Sequence, residues 1–483
     1  MLPNYTPYKN LPPLAGLCSI EDATKPGLPL EECVRRLKRF HYCFKRLHEI
    51  LTARLTAEPI YELKTAFAHH AYLCAEHVAA LRQRISEMRE PPLGLEDVPH
   101  PALEVFFDEI LCAPATEELV YGLSTAVCVL WGAIDRYESE THPLTDAPSK
   151  RVLRFARIEL YDMMEWYRSA MRALVVANSA RDQQLQEWTG DLIAMIGWGK
   201  GRADTEGSSE SDANHSPAQP DLTRRYSATP YTYDPVPQRD ERFADLWNQG
   251  VNAEAFLYDE SKPPRDKVLM MLFKRLREID VPEMMASIIT QTKGKPWGYY
   301  LAMSRQLWDE ARHAMMGEVG FVALGVDWTK ARITWNWSYR LNTECTPLER
   351  HGVLFFIEQG LMPKTGKRYE FEVAGESGIP IAATIQDFDW ADEVLHSQIG
   401  REWYVKQFGS LQEALDFGDK AWSKILSNWT TVKEKGLTQH ANWWPAVYEQ
   451  ACAAAGREPD PTVMTYDETY EGKRADLRGV VGE

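Results

Sequence analysis

LWDEARHAMMGEVGF at 307–321 and DFDWADEVLHSQIG at 387–400 decide the fold. Each stretch carries a Glu-x-x-His motif, Glu310–His313 and Glu393–His396, inside an apolar helical pattern. Residues i and i+3 share a helix face, so each pair presents a carboxylate and an imidazole to one point. Chance alone supplies one such motif in a chain of this composition, so the context has to carry the argument. Each motif is preceded, one helix earlier, by a glutamate among apolar neighbours. Glu283 lies in VPEMMASII, 27 residues before Glu310, and Glu358 lies in LFFIEQGL, 35 residues before Glu393. A buried glutamate is costly unless it is paired or bound to a metal. Glu349, 44 residues before Glu393, is the alternative to Glu358. It matches the height of Glu393 better if its helix ends near Gly360 and the next begins near Ile379.

Working outward, helical periodicity covers 265–292, 296–325, 344–361, 379–408 and 410–432, with a long loop or short hairpin expected at 363–378. The N-terminal half reads as helices over 30–57, 60–90, 116–138, 149–176 and 180–198. Between the halves, 203–240 is rich in Ser, Asp and Pro and poor in aliphatics, the composition of a flexible linker. The expected organisation is an extended arm at 1–29, a helical bundle at 30–202, the linker at 203–240, a second bundle at 241–435 and a tail at 436–483. The fold class is all-α.

The order Glu…Glu-x-x-His…Glu…Glu-x-x-His resembles the ferritin-like di-metal carboxylate superfamily, in which each of two helices gives a Glu and each of two others a Glu-x-x-His. The resemblance spans residues near 265 to 410. It implies a four-helix bundle holding two iron ions, or manganese or a manganese–iron pair, on Glu283, Glu310, His313, Glu358, Glu393 and His396. It also implies that Glu310 and Glu393 bridge the metals and that dioxygen is a co-substrate. Carboxylate oxygens with one imidazole per ion suit these metals. Asp309 and Asp392, each just before a motif glutamate, are candidates to hydrogen-bond the ligand histidines.

The first half reads as a degenerate copy of that bundle, giving two ferritin-like bundles in tandem. Aligning His77 with His313 places Cys74 at the position of Glu310, Glu159 at that of Glu393 and Asp162 at that of His396. Glu49 resembles Glu283, and Ser124 stands 35 residues before Glu159. Two unrelated helical domains are the alternative. His69, His70, Glu76 and His77 are either a rebuilt site or ordinary polar residues of a long helix. Trp308, Trp390, Trp403, Tyr299 and Tyr300 lie near the motifs, as core packing or as redox-active aromatics.

A net charge of −16 speaks against nucleic acid as a partner. The N-terminus lacks the pattern of a signal peptide, and no run of 18 apolar residues marks a membrane span. The eight cysteines never form Cys-x-x-Cys, which fits a reduced cytoplasm. GLMPKTGKR at 360–368 fails the spacing of a phosphate loop. The resemblance to the di-metal carboxylate superfamily implies an enzyme, a di-iron oxidase or oxygenase acting on a small organic molecule. Electrons would come from a separate donor or from the substrate, and a homodimer is reasonable. Ferroxidase chemistry and a metal-free helical scaffold are the alternatives.

Overall fold

A computed structural model describes residues 5–89, 94–197, 223–243, 246, 250–362, 366–426, 435–436 and 441–469. Every regular element among them is helical. The chain divides into two compact units, Met1–Ile50 with Leu73–Thr232 and Leu51–Tyr72 with Tyr233–Glu483. Residues 51–72 thus group with the second unit, a division that the sequence boundaries at 30–202 and 241–435 do not follow.

The N-terminal helices are α1 (Ile20–Ala23), α2 (Leu30–Leu55), α3 (Tyr61–Ser86), α4 (Pro101–Leu111), α5 (Thr116–Glu140), α6 (Ala147–Leu174) and α7 (Ala180–Met195). In the first unit α5 packs along α6. Leu123, Val127 and Ile134 of α5 and Leu153, Leu160 and Tyr167 of α6 are buried at helical spacing. Ser179 caps α7, its hydroxyl accepting from the Asp182 amide at 3.0 Å. By length and composition α5 could cross a membrane, but 67% of its most apolar window is buried in the fold, as for the core helix of a soluble protein. His77 Nε2 lies 2.7 Å from Glu159 Oε2. These are the two residues that the repeat alignment sets against His313 and Glu393.

The second unit continues with α8 (Ala253–Leu257), α9 (Pro264–Arg277), α10 (Asp280–Gln291), α11 (Trp297–Ala323), α12 (Asn336–Glu344), α13 (Pro347–Gly360), α14 (Lys367–Glu376), α15 (Pro380–Trp403), α16 (Leu411–Leu426), α17 (Trp444–Ala454) and α18 (Pro461–Met464). Its centre is a ring of four rods: α9 and α10 pack on α11, α11 on α15, α15 on α13, and α13 back on α10. Proline stands in the first turn of α9, α13 and α15, where its missing N–H leaves no bond unmade. Glycine allows close crossings. A Cβ on Gly317 would stand 2.4 Å from the Leu276 amide nitrogen, and one on Gly400 would stand 2.3 Å from the Phe355 ring.

Four expectations need correcting. The helix read over 265–292 is interrupted at Glu278–Ile279. Pro282 causes this, because it has no N–H to give the Glu278 carbonyl and its ring crowds that carbonyl. The segment 363–378, expected as a loop or hairpin, contains α14, which packs on α15 and α9. The tail at 436–483 contains α17, whose Trp444, Val447, Tyr448 and Cys452 form one buried face of the core. The linker read at 203–240 lies outside the described residues as far as 222, but beyond that it is tied down. In the first unit Glu109 accepts from the Tyr226 and Ser227 amides, and in the second Arg239 is buried in ion pairs.

Candidate metal centre

Three helices, α11, α13 and α15, and the C-cap residue of α9 bring acidic and imidazole side chains together in the second unit. One group is Glu310, Glu358, Glu393 and His396, all buried. The other is Glu278, His313, Asp389 and Glu393. In each group one donor atom per residue lies within 4.8 Å of the others, and Glu393 belongs to both. Glu310 faces both imidazoles, with Oε1 3.2 Å from His396 Nδ1 and Oε2 3.6 Å from His313 Nδ1. Glu393 is thus shared by the two groups, and Glu310 faces an imidazole of each.

The far side of each imidazole is held by an aspartate from the opposite helix. His313 Nε2 lies 3.2 Å from Asp392 Oδ2, and His396 Nε2 lies 3.4 Å from Asp309 Oδ2. Arg312 Nη2 joins the two aspartates, at 2.5 Å from Asp309 and 2.7 Å from Asp392. A proton held at Nε2 leaves Nδ1 as the lone-pair nitrogen turned toward the cluster.

The donor atoms fit a cation. Glu310 Oε1, Glu358 Oε2, Glu393 Oε2, Glu278 Oε2, His313 Nδ1 and His396 Nδ1 are all buried and lack a well-formed hydrogen bond. Buried polar atoms without partners are rare and call for an explanation, and an ion at their common centre supplies one. Electrostatics point the same way. Burial pushes Glu358 well above the ordinary carboxyl range, and the like charge of Glu393 adds to it. Burial works against charge on His313 and His396, yet the surrounding carboxylates, led by Asp392 and Asp309, hold both well above the histidine range. The cluster thus retains protons that a cation would displace.

Two cations already sit beside the second group. Lys367, at the start of α14, is buried with Nζ 2.9 Å from each oxygen of Asp389 and 2.8 Å from Glu393 Oε1. Arg275 pairs with Asp389, lies 2.9 Å from Glu278 and reaches within 3.9 Å of Glu393. Burial pushes Glu393 up, but the charge of Lys367, with Glu358 and His396 beside it, outweighs this and holds it well below the carboxylate range.

Of the residues read from sequence, Glu310, His313, Glu358, Glu393 and His396 come together, and Glu283 does not. It is fully buried elsewhere, accepting from Ser338 Oγ at 2.6 Å, Arg239 Nη2 at 3.0 Å and Lys64 Nζ at 2.8 Å. Burial raises Glu283, but Arg239 and Lys64 outweigh it and keep the carboxylate ionised. The first-rod glutamate at the cluster is Glu278. Glu349 also lies apart, since it closes a capping box with Thr346 at the start of α13. Asp389 was readable as the residue one turn before Glu393 on the same face. Pro282 signalled the helix break that sets Glu278 at the cluster, whereas nothing in KTGKRYE marks Lys367 as buried.

A cavity of about 460 Å³ opens directly on the cluster. Glu278, Glu310, Glu358 and Glu393 of the cluster line it together with an apolar set that includes Met284, Trp337, Leu341, Val353, Leu354 and Trp422 and a charged set, Glu254, Lys274, Arg275, Arg277 and Asp280.

Among its described residues the chain is an all-helical protein with buried carboxylate–histidine groups that could hold metal ions. No protein-family model, curated protein or solved structure matches it.

Proposed function

We propose that the chain is a ferritin-like, non-haem metal oxidoreductase that uses dioxygen to oxidise or oxygenate a small organic molecule. The carrying observation is the mainly apolar cavity ending on Glu310, Glu358 and Glu393. Its volume and the Met284, Trp337, Leu341, Val353, Leu354 and Trp422 part of its wall suit an organic substrate, and Lys274, Arg275 and Arg277 in the same wall suit one that carries a polar or anionic group. Iron is the natural occupant of a centre built from carboxylates and Nδ1 imidazoles, with manganese the near equivalent.

Glu310 and Glu393 would bridge the two positions, Glu358 and His396 would complete one, and Glu278, His313 and Asp389 the other. Bound iron would supply the redox chemistry with dioxygen. The protein's part is to fix the donors, exclude water and orient the substrate. Asp309 and Asp392 hold the imidazoles by Nε2, and Arg312 balances the two aspartates. Met284, Leu341 and Leu354 would give a bound substrate an apolar surface beside the cluster. Electrons would come from a separate donor or from the substrate. None of the eight cysteines is in a disulfide, which suits a reduced, cytoplasmic setting.

The test is metal analysis by plasma mass spectrometry after anaerobic ferrous loading of the wild type and Glu393→Ala, followed by oxygen uptake with added reductant. Stoichiometric iron in the wild type, lost in the variant, and iron-dependent oxygen uptake are expected. A wild type that retains no iron or manganese leaves the metal-free scaffold as the better account.

A further inference from the structure

Seven potential ligands surround two positions, but the two positions are not alike. In the Glu310–Glu358–Glu393–His396 group Lys367 and Arg275 reach only Glu393, at its Oε1, and the cationic nitrogens facing Glu310 and Glu358 are imidazoles, which lose their protons to become ligands. The other group contains fixed cations. The Lys367 ammonium has three N–H donors and three acceptors at 2.8–2.9 Å, the two oxygens of Asp389 and Oε1 of Glu393. Its hydrogen-bonding capacity is therefore filled by two of the four donors in that group. Arg275 also pairs with Asp389 and engages one further member of the group, Glu278. Both cations are nearly inaccessible to solvent, with side chains 1% exposed, so water does little to screen them.

A divalent ion bound by Asp389 and Glu393 would have to stand where Lys367 makes its contacts, at short range from an unscreened positive charge. Like charges at that separation inside a protein repel strongly. The ion would also have to compete for oxygens that already carry three charge-assisted hydrogen bonds.

We propose that the two positions load unequally: one transition-metal ion binds tightly at Glu310, Glu358, Glu393 and His396, and Lys367 guards the Glu278–His313–Asp389–Glu393 position as a built-in cation that a second metal must displace. This rests on reading the cluster as a metal centre. The one-metal form keeps Lys367 tied to Asp389 and Glu393. The two-metal form requires its side chain to swing away, so Lys367 sets how many metals the centre holds at a given metal concentration.

The probe is Mn(II) alone, titrated anaerobically into wild type and Lys367→Met, with bound metal counted by equilibrium dialysis and its nuclearity read by electron paramagnetic resonance. Methionine keeps the length and apolar bulk of the stem but removes the charge. Expected for the wild type are one tight equivalent with an isolated-ion spectrum and a second equivalent at least about 100-fold weaker. Lys367→Met is expected to tighten the second equivalent by at least about tenfold and to give an exchange-coupled pair. Two equivalents of equal affinity in the wild type, or a second affinity unmoved by the substitution, would overturn the proposal while leaving the metal centre intact. No binding by either protein would remove the metal centre itself. Should Lys367→Met not fold, the wild-type stoichiometry and spectrum decide alone.

Discussion

Asp392 on α15 and His313 on α11 are bound across the bundle, Oδ2 to Nε2 at 3.2 Å, and the same pairing recurs between Asp309 and His396 with the helices exchanged. Each motif thus contributes the aspartate that orients the other motif's imidazole. Asp392→Asn keeps an oxygen near His313 but loses the charge that favours a proton on Nε2, and it leaves Arg312 with one aspartate instead of two. Metal affinity, measured by competition with a chelator, is expected to fall by about tenfold or more with helical content unchanged. Asp309→Asn should act the same way through His396. An unchanged affinity in both variants would mean that these contacts do not tune the ligands.

Glu283 and Glu278 divide stability from metal binding. Glu283 anchors Lys64, Arg239 and Ser338 in a buried network away from the donor groups. Glu283→Gln leaves Lys64 without its carboxylate partner, and breaking such a pair costs about 3 kcal/mol or more. Urea denaturation should show that loss while tight metal binding persists. Glu278→Gln should do the reverse, weakening the second metal with little loss of stability, since this residue is only partly buried.

How much was legible follows from the same residues. The two Glu-x-x-His pairs made four of the converging residues legible because i, i+3 spacing on an apolar helix leaves little freedom, and Glu358 was legible from its apolar neighbours one helix earlier. Glu283 misled because it has every local sign of a buried ligand, namely apolar neighbours and a matching height. Its burial is explained instead by Lys64 and Arg239, partners 219 and 44 residues away that no local pattern reveals. The helix break is legible in the sequence as Pro282. Lys367 was illegible, because its stretch reads as a solvated loop and only its packing against α9 and α15 turns the ammonium inward.

Acid sensitivity has an identifiable source in His351. It is 3% exposed, and burial, aided by the charge of Lys295, pushes it down from 6.5 to about 3. The folded state therefore stays neutral where the unfolded chain takes up a proton. Stability is unaffected above pH 6.5 and falls as the pH drops from there toward 3, by about 1.4 kcal/mol per pH unit for this group. Burial likewise holds His41 down at about 4, so it adds in the same direction. His351→Phe, beside the rings of Tyr299 and Tyr404, should reduce the loss of stability between pH 7 and about pH 4.5 by about 2–3 kcal/mol. Urea midpoints at the two pH values measure it, and an equal pH slope in both proteins would assign the acid lability to other groups.

Gly317 tests whether the helix crossing sets the centre. It lies one turn beyond His313 on α11, and an added Cβ would stand 2.4 Å from the Leu276 amide nitrogen and 2.7 Å from the Leu272 carbonyl oxygen. Both obstacles are backbone atoms of α9, so no rotamer change relieves them and the two helices must separate. Leu276 stands two residues before Glu278, so moving α9 away carries that carboxylate from His313, now 3.3 Å from it. Overpacking of this kind costs about 1–3 kcal/mol. Gly317→Ala is therefore expected to lower the unfolding free energy by that amount and to weaken the second metal more than the first. The first position draws its donors from α11, α13 and α15, which the displacement of α9 leaves in contact. Equal weakening of both metals would mean that the crossing supports the whole cluster and not only its α9 side.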